Sequence, residues 1–194
     1  GDWKKGEVPE HKYEMPEKPQ KPIVAMVDKE DAVQSVISIT YPVGLSVGDE
    51  DEIKAKVMNN ILGGGVFSGY LMKNLREDKG YTYGARSSLS TDPLVGYFRA
   101  GAKVGTAVTD SAITEFIYEM NRIRDEKVEK DHLNMVQNVM TGSFSRQMED
   151  ARTYARFALN TKRYNLPEDY YANYLKKLNQ VGVEDVQKMA KEYI

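Results

Sequence analysis

Hydrophobic positions switch period along the chain. They alternate in short runs near residues 35–41 and 81–104, and recur every three or four residues over 49–77 and again after 106. In Ser35–Tyr41, Ile37, Ile39 and Tyr41 share one face and Val36, Ser38 and Thr40 the other, which predicts a strand. Ile23–Val27 is a shorter apolar run with the same expectation. Pro42, Gly44 and Gly48 end the first alternation. Asp49–Leu62 then places Ile53, Val57 and Ile61 four residues apart behind an acidic first turn, the pattern of an amphipathic helix. Gly63–Gly65 stops it. A second helix is expected over Val66–Glu77, with Phe67, Tyr70, Leu71 and Leu75 inward and Gly80 as its stop.

Tyr81–Ser90 and Val95–Val104 predict two strands around the turn Thr91-Asp92-Pro93. In the second, Phe98, Ala100, Ala102 and Val104 share one face, and Tyr97, Arg99 and Lys103 the other. That pattern suits a sheet with one solvated face. The rest reads as helical. Thr106–Arg124 carries Ala112, Ile113, Phe116, Ile117, Met120 and Ile123, and Glu129–Phe144 carries Leu133, Val136, Val139 and Met140. Asp150–Lys162 carries Tyr154, Phe157 and Ala158. Pro167 suits the first position of a helix to Leu178, and Val183–Tyr193 turns Val186, Met189 and Ala190 inward. Strands early and helices late give an α+β class, a mainly antiparallel sheet with helices packed on one face.

Composition narrows the chemistry. The chain has 194 residues and a formal charge of −2, without the basic excess of a dedicated nucleic-acid binder. No apolar run approaches the roughly 18 residues a membrane span needs. With no cysteine, disulfides, thiolate metal sites and cysteine nucleophiles are excluded. Residues 1–22 hold four of the seven prolines and five lysines against five acidic residues. This stretch reads as a linker, or as an N-terminal arm anchored by Trp3 and Tyr13, preceding a single domain over 23–194. The start at Gly1 suggests a piece of a longer protein.

Only two histidines are present, His11 and His132. His11-Lys12-Tyr13-Glu14-Met15 misses the inverted zinc motif H-x-x-E-H by its last residue, and prolines surround it. His132 falls mid-helix beside charged residues and reads as solvated or partly packed. Gly63-Gly64-Gly65-Val66-Phe67-Ser68-Gly69 lacks the Lys and Ser/Thr of a phosphate loop and follows a helix instead of a strand. It reads as a joint between helices, or as a loop that lets another backbone approach closely. Leu75-Arg76-Glu77-Asp78-Lys79-Gly80-Tyr81-Thr82-Tyr83-Gly84 is the densest polar cluster. Arg76 offers a bidentate fork and Tyr83 a hydroxyl donor. On physics alone the plainer reading is a helix end followed by a tyrosine-rich strand.

Leu62-Gly63-Gly64-Gly65 followed by that Leu75–Gly84 run resembles the C-terminal-type domain of the pitrilysin/insulinase zinc peptidases, the family of mitochondrial processing peptidase. The likeness runs from about Val33 to the end. It implies one half of a clamp around a chamber, with zinc carried by a partner half on the same polypeptide or another subunit. It also implies that Arg76 holds peptide substrate and that Tyr83 donates to the oxyanion formed during attack on the peptide carbonyl. Gly63, Gly64 and Gly65 are implied as further substrate contacts. Lacking H-x-x-E-H, the chain alone is expected to bind no catalytic zinc, to fold without metal and to cleave nothing. Likeness to bacterial members implies a cell-envelope or periplasmic setting. Two competing readings are an inert assembly domain, like the respiratory-complex core proteins, and an unrelated module capturing extended peptide at a sheet edge.

Overall fold

The computed structural model describes residues 6–7, 14, 16–17, 19–65 and 69–194. Three strands form one antiparallel sheet: β1 (Gln34–Val43), β2 (Thr82–Ser90) and β3 (Gly96–Gly105), in the order β1-β3-β2. Ile37 pairs with Ala102 and Tyr41 with Phe98 across β1 and β3, and Ala85 pairs with Ala102 across β2 and β3. Period-two alternation then puts Ile37, Ala85, Phe98, Ala100, Ala102 and Val104 in the core, while Tyr97, Arg99 and Lys103 stay exposed.

Helices cover the apolar face. α1 (Glu52–Asn59) packs on β2 and on α7 (Val183–Tyr193), and α3 (Thr109–Asp125) packs on all three of β1, β3 and α7. Ile53, Val57 and Ile61 are buried as their spacing predicts, as are Val186, Met189 and Ala190. A short α2 (Tyr70–Met72), α4 (Lys130–Gln147), α5 (Ala151–Arg163) and α6 (Tyr174–Gln180) complete the α+β architecture. Among the described residues no helix is long and apolar enough to cross a membrane.

Several expectations are corrected. Ile23–Val27 forms no strand with any of the described residues, and Ile23, Val24, Met26 and Val27 are each more than 80% exposed. An apolar run cannot form a strand by itself, because its backbone needs a neighbour to bond. The described part of the second helix begins at Tyr70 behind an extended Gly69, and Val66 and Phe67 lie outside the described residues, as do His11, Trp3 and Tyr13. Ile113 and Ile117 are 41% and 45% exposed, so α3 buries a narrower stripe than its sequence offers. Pro167 starts no helix; tight turns follow it, and α6 begins only at Tyr174. In α5 only Thr153 is buried, while Tyr154 and Ala158 are exposed.

Aromatic stacking holds α5 in place instead. Phe157 lies flat on Tyr171 with ring centroids 3.6 Å apart, Phe144 of α4 stacks on Tyr174 at 4.6 Å, and Tyr170 meets Tyr171 edge-on. That ladder ends at a buried carboxylate. Tyr170 Oη donates to Glu52 Oε2, Lys56 Nζ pairs with Glu52 Oε1, and the Gly48 backbone N–H donates to Oε2 at 2.7 Å. Burial alone would raise the Glu52 pKa, but these donors together bring it below its ordinary value. Burial, then the Glu52 hydrogen bond, raises that of Tyr170.

Two helical turns are wider than α. Asn60–Gly64 and Lys73–Asp78 close five residues apart, with Gly65 N–H donating to Asn60 O at 3.2 Å and Lys79 N–H to Asn74 O at 3.0 Å. The first wide turn presses Gly63 onto β2. A Cβ at Gly63 would lie 2.8 Å from the Ser87 backbone N and 2.9 Å from its Oγ.

Two outcomes are expected. The native state holds Glu52 ionised, so its contribution is present above about pH 4.5 and lost as pH falls through its lowered native value. Glu52→Gln should reduce stability by about 1–3 kcal/mol at neutral pH and flatten its decline below pH 5, as read from urea midpoints between pH 3 and 8. Gly63→Val should destabilise the fold by about 1–3 kcal/mol through overpacking and lower the thermal midpoint. Gly105→Ala, whose Cβ would meet only Val108 Cγ2 at 3.8 Å, should change that midpoint little.

Candidate functional site

Arg76 and Tyr83 stand on either side of a tight reversal. Arg76 lies in the wide turn that ends the α2 segment, and Gly80 closes it with φ +66°. Gly80 N–H donates to Arg76 O at 3.2 Å and Tyr81 N–H to Leu75 O at 2.8 Å. These bonds satisfy the last carbonyls of the helix and need a residue that tolerates left-handed backbone, which Gly80 is. The predicted stop at Gly80 therefore has a bonding explanation.

The Arg76 turn is fixed from behind. Asn74 Nδ2 donates to Glu119 Oε1 at 2.7 Å and to Glu115 Oε2 at 2.9 Å, both on α3. Lys79 Nζ pairs with Glu115 Oε1 at 3.2 Å. Leu75, next to Arg76, is fully buried. Backbone and neighbours are thus held, while the Arg76 side chain is exposed and has no ion pair among the described residues. Nearby, Tyr70 lies between Arg122, 4.3 Å from its ring centroid, and His132, whose ring is 5.3 Å away. His132 is therefore partly accounted for by packing, as its sequence context suggests.

Tyr83 is turned out by a bulge. The β2–β3 register shifts between Thr82 and Ala85. Thr82 Oγ1 holds the irregularity, donating to Lys103 O at 2.7 Å and accepting from Gly84 N–H at 3.1 Å. A Cβ at Gly84 would face Met72 Cε at 3.7 Å, toward the helix layer. Tyr83 projects the other way, 92% exposed, with no hydrogen-bond partner among the described residues.

The glycine run is split between two environments. Gly63 is buried against Ser87, whereas Gly64 is exposed and Gly65 half-buried. Gly64 and Gly65 open onto a hollow of about 600 Å³ on the helix side, with Lys56, Phe144, Phe157 and Tyr170 among its walls. A second hollow, of about 670 Å³, runs along α4 and α5. Neither includes Arg76 or Tyr83, so the glycines and the Arg/Tyr pair do not form one cavity.

Sequence reasoning missed Thr82 and Asn74, which position the pair. A threonine before Tyr-Gly and an asparagine before Leu-Arg carry no local sign of such roles, since their partners lie 21 and 45 residues away. Among the described residues no group of three or more His, Asp or Glu side chains is arranged to hold a metal ion.

Comparison with known proteins supports the resemblance. A crystal structure of a peptidase M16 inactive domain from Pseudomonas fluorescens superposes with a TM-score of 0.76 at 21% identity, over 84% of this chain and 39% of that one. The inactive peptidase domain of a candidate zinc protease from Bordetella parapertussis gives 0.69 at 15%, over 82% and 86%. Complex III2 from Candida albicans gives 0.68 at 13%, over 84% and 40%. At these identities the likeness shows the fold, and the chain spans about two fifths of the first structure's length. No curated protein matches the chain significantly. The sequence pattern described as the peptidase M16 inactive domain matches residues 1–140, and with that share of its length matched the chain belongs to the M16 inactive-domain family, within a family of metallopeptidases.

Proposed function

We propose that this chain is the substrate-binding, oxyanion-stabilising domain of a zinc metallopeptidase, working against a zinc centre on another domain or subunit. The observation that carries this reading is the contrast at the Gly80 reversal. Asn74, Leu75 and Thr82 beside Arg76 and Tyr83 are fixed by burial or hydrogen bonds, while the Arg76 and Tyr83 side chains themselves are exposed and unengaged among the described residues. A fixed scaffold under free polar ends suits a group that acts on something outside its own fold.

In this reading the partner is the zinc-bearing half and the ligand is a peptide. Arg76 presents a planar fork that can grip a backbone carbonyl or a carboxylate through two hydrogen bonds. Tyr83 donates its hydroxyl proton in a hydrogen bond to the peptide oxygen as that oxygen gains charge. Aimed at developing charge and needing no reorganisation, such a donor favours the transition state over the ground state. Gly63 sets the position of the helix end, and Gly64 and Gly65 offer bare backbone as a secondary contact. In this reading the metal chemistry belongs to the other half. The competing reading is an inert assembly domain, for which the fold shared with Complex III2 is the motive.

Cleavage is measured with the protein that carries the zinc-bearing half. At equal zinc content, Tyr83→Phe should lower kcat by about 10²–10³ with little change in peptide affinity. Equal turnover by variant and wild type would remove Tyr83 from the chemistry. Arg76→Ala should raise KM by about 10-fold or more, the value of a charged hydrogen bond, and an unchanged KM would remove Arg76 from substrate capture. No cleavage by the wild type across a broad peptide set would favour the assembly reading.

A further inference from the structure

The open face of the sheet carries charge of one sign only. β1 and β2 contribute one charged residue between them, Arg86, and β3 contributes Arg99 and Lys103; no Asp or Glu lies on any of the three strands. All three cations are exposed, and none forms an ion pair among the described residues. A chain with a net charge of −2 has thus left one face wholly cationic.

Register groups the three around a bare centre. Gly101 pairs with Arg86 on one side and Ser38 on the other. Arg99 and Lys103 are the residues two before and two after Gly101, on the same face. Each stands diagonally across from Arg86, about 7–8 Å away by sheet geometry, and about 13 Å separates the two along β3. Gly101 itself adds no side chain, and a Cβ there would collide with the Ile37 carbonyl oxygen. The result is a shallow dish with a glycine floor and a rim of two guanidinium groups and one ammonium.

We infer that this dish binds acidic side chains of an extended peptide lying along β3, which makes peptides with acidic residues at alternate positions the favoured substrate class. The match is one of charge and spacing. Alternate side chains of an extended strand point the same way about 6.8 Å apart, so residues i, i+2 and i+4 span the same length as Arg99 to Lys103, with Arg86 beside the middle. Guanidinium groups receive carboxylates through paired hydrogen bonds. A nucleic-acid strand is a poorer match, because three cations fall short of the 6–10 phosphate contacts that such binding typically draws on. Arg86 follows Tyr83 by three residues on the same strand, so the acidic residues sit about 10 Å from the bond under attack. The inference rests on the substrate-binding reading above.

The test is fluorescence anisotropy with the full 194-residue chain and three labelled peptides, identical except for Glu, Gln or Lys at three alternate positions. Single-stranded oligo-dT serves as the nucleic-acid probe. The Glu peptide should bind at least about 10-fold tighter than the Gln peptide, and more weakly as salt rises. Arg86→Gln, Arg99→Gln and Lys103→Gln should each weaken it by about 2–5-fold, and the triple variant should erase the Glu-over-Gln preference at an unchanged thermal midpoint. Equal binding of Glu and Gln peptides, a triple variant that keeps the preference, or oligo-dT binding as tightly as the Glu peptide would each overturn the inference. No step depends on cleavage. A charge preference without any effect of Tyr83→Phe on turnover would overturn the catalytic reading alone, and the reverse result would overturn this one alone.

Discussion

The Gly63 backbone lies directly against the Ser87 backbone, and no side chain fits between them. This close approach sets the distance between the helix layer and β2. Ser87 is small and buried, so the strand offers a notch where the wide turn offers bare backbone. From there the chain runs through α2 to the Arg76 turn and back into β2 at Thr82. Both ends of the Leu75–Gly84 segment are therefore referred to one contact, and Asn74 and Thr82 supply the second fixed point at each end. Arg76 and Tyr83 keep their relation to the sheet because interiors packed this tightly do not deform gradually.

The late helices follow a different logic. The core beneath the sheet is aliphatic with two phenylalanines, Phe98 and Phe116, and it accounts for α1, α3 and α7. α5 buries almost nothing of its own and is held by stacked rings that lead, through the edge-on Tyr170, to Glu52. A buried carboxylate with three donors is costly to leave half-satisfied, so the network tends to form or break as a unit. The elements on the far side of the 600 Å³ hollow are thereby tied to α1 through a polar anchor, not through apolar area alone.

How much could be read from the residues follows from this division. β1 and β3 were legible because one face is covered and one is not, so alternation in the sequence has a physical cause. α7 was legible for the same reason at period 3.6. The wide turns were not legible: a helix that gains one residue per turn over five or six positions leaves no distinct hydrophobic signature. Pro167 misled because a favourable first-turn residue is only a local preference, and Tyr170, three residues on, bonds Glu52 across 118 residues. The motif residues Arg76 and Tyr83 stood out in the sequence, yet what holds them did not, since Asn74 and Thr82 act through distant partners. Gly63 reads as a joint or as a point where another backbone comes close, and one backbone that comes close is that of the protein's own β2 at Ser87.

β1 hydrogen-bonds to β3 along one side, and among the described residues no strand pairs with its other side. That outer edge is ten residues long and carries no charge, with one proline near its end. Proteins ordinarily protect such a rim with lysine, a bulge or a covering segment, and here the bulge lies on β2 instead. Among the described strands this rim has the least such protection against pairing with a neighbouring chain. Colloidal behaviour of the separate domain is then governed by protein concentration and by whatever shields this border, and a well-folded preparation can still gather into sheets across molecules.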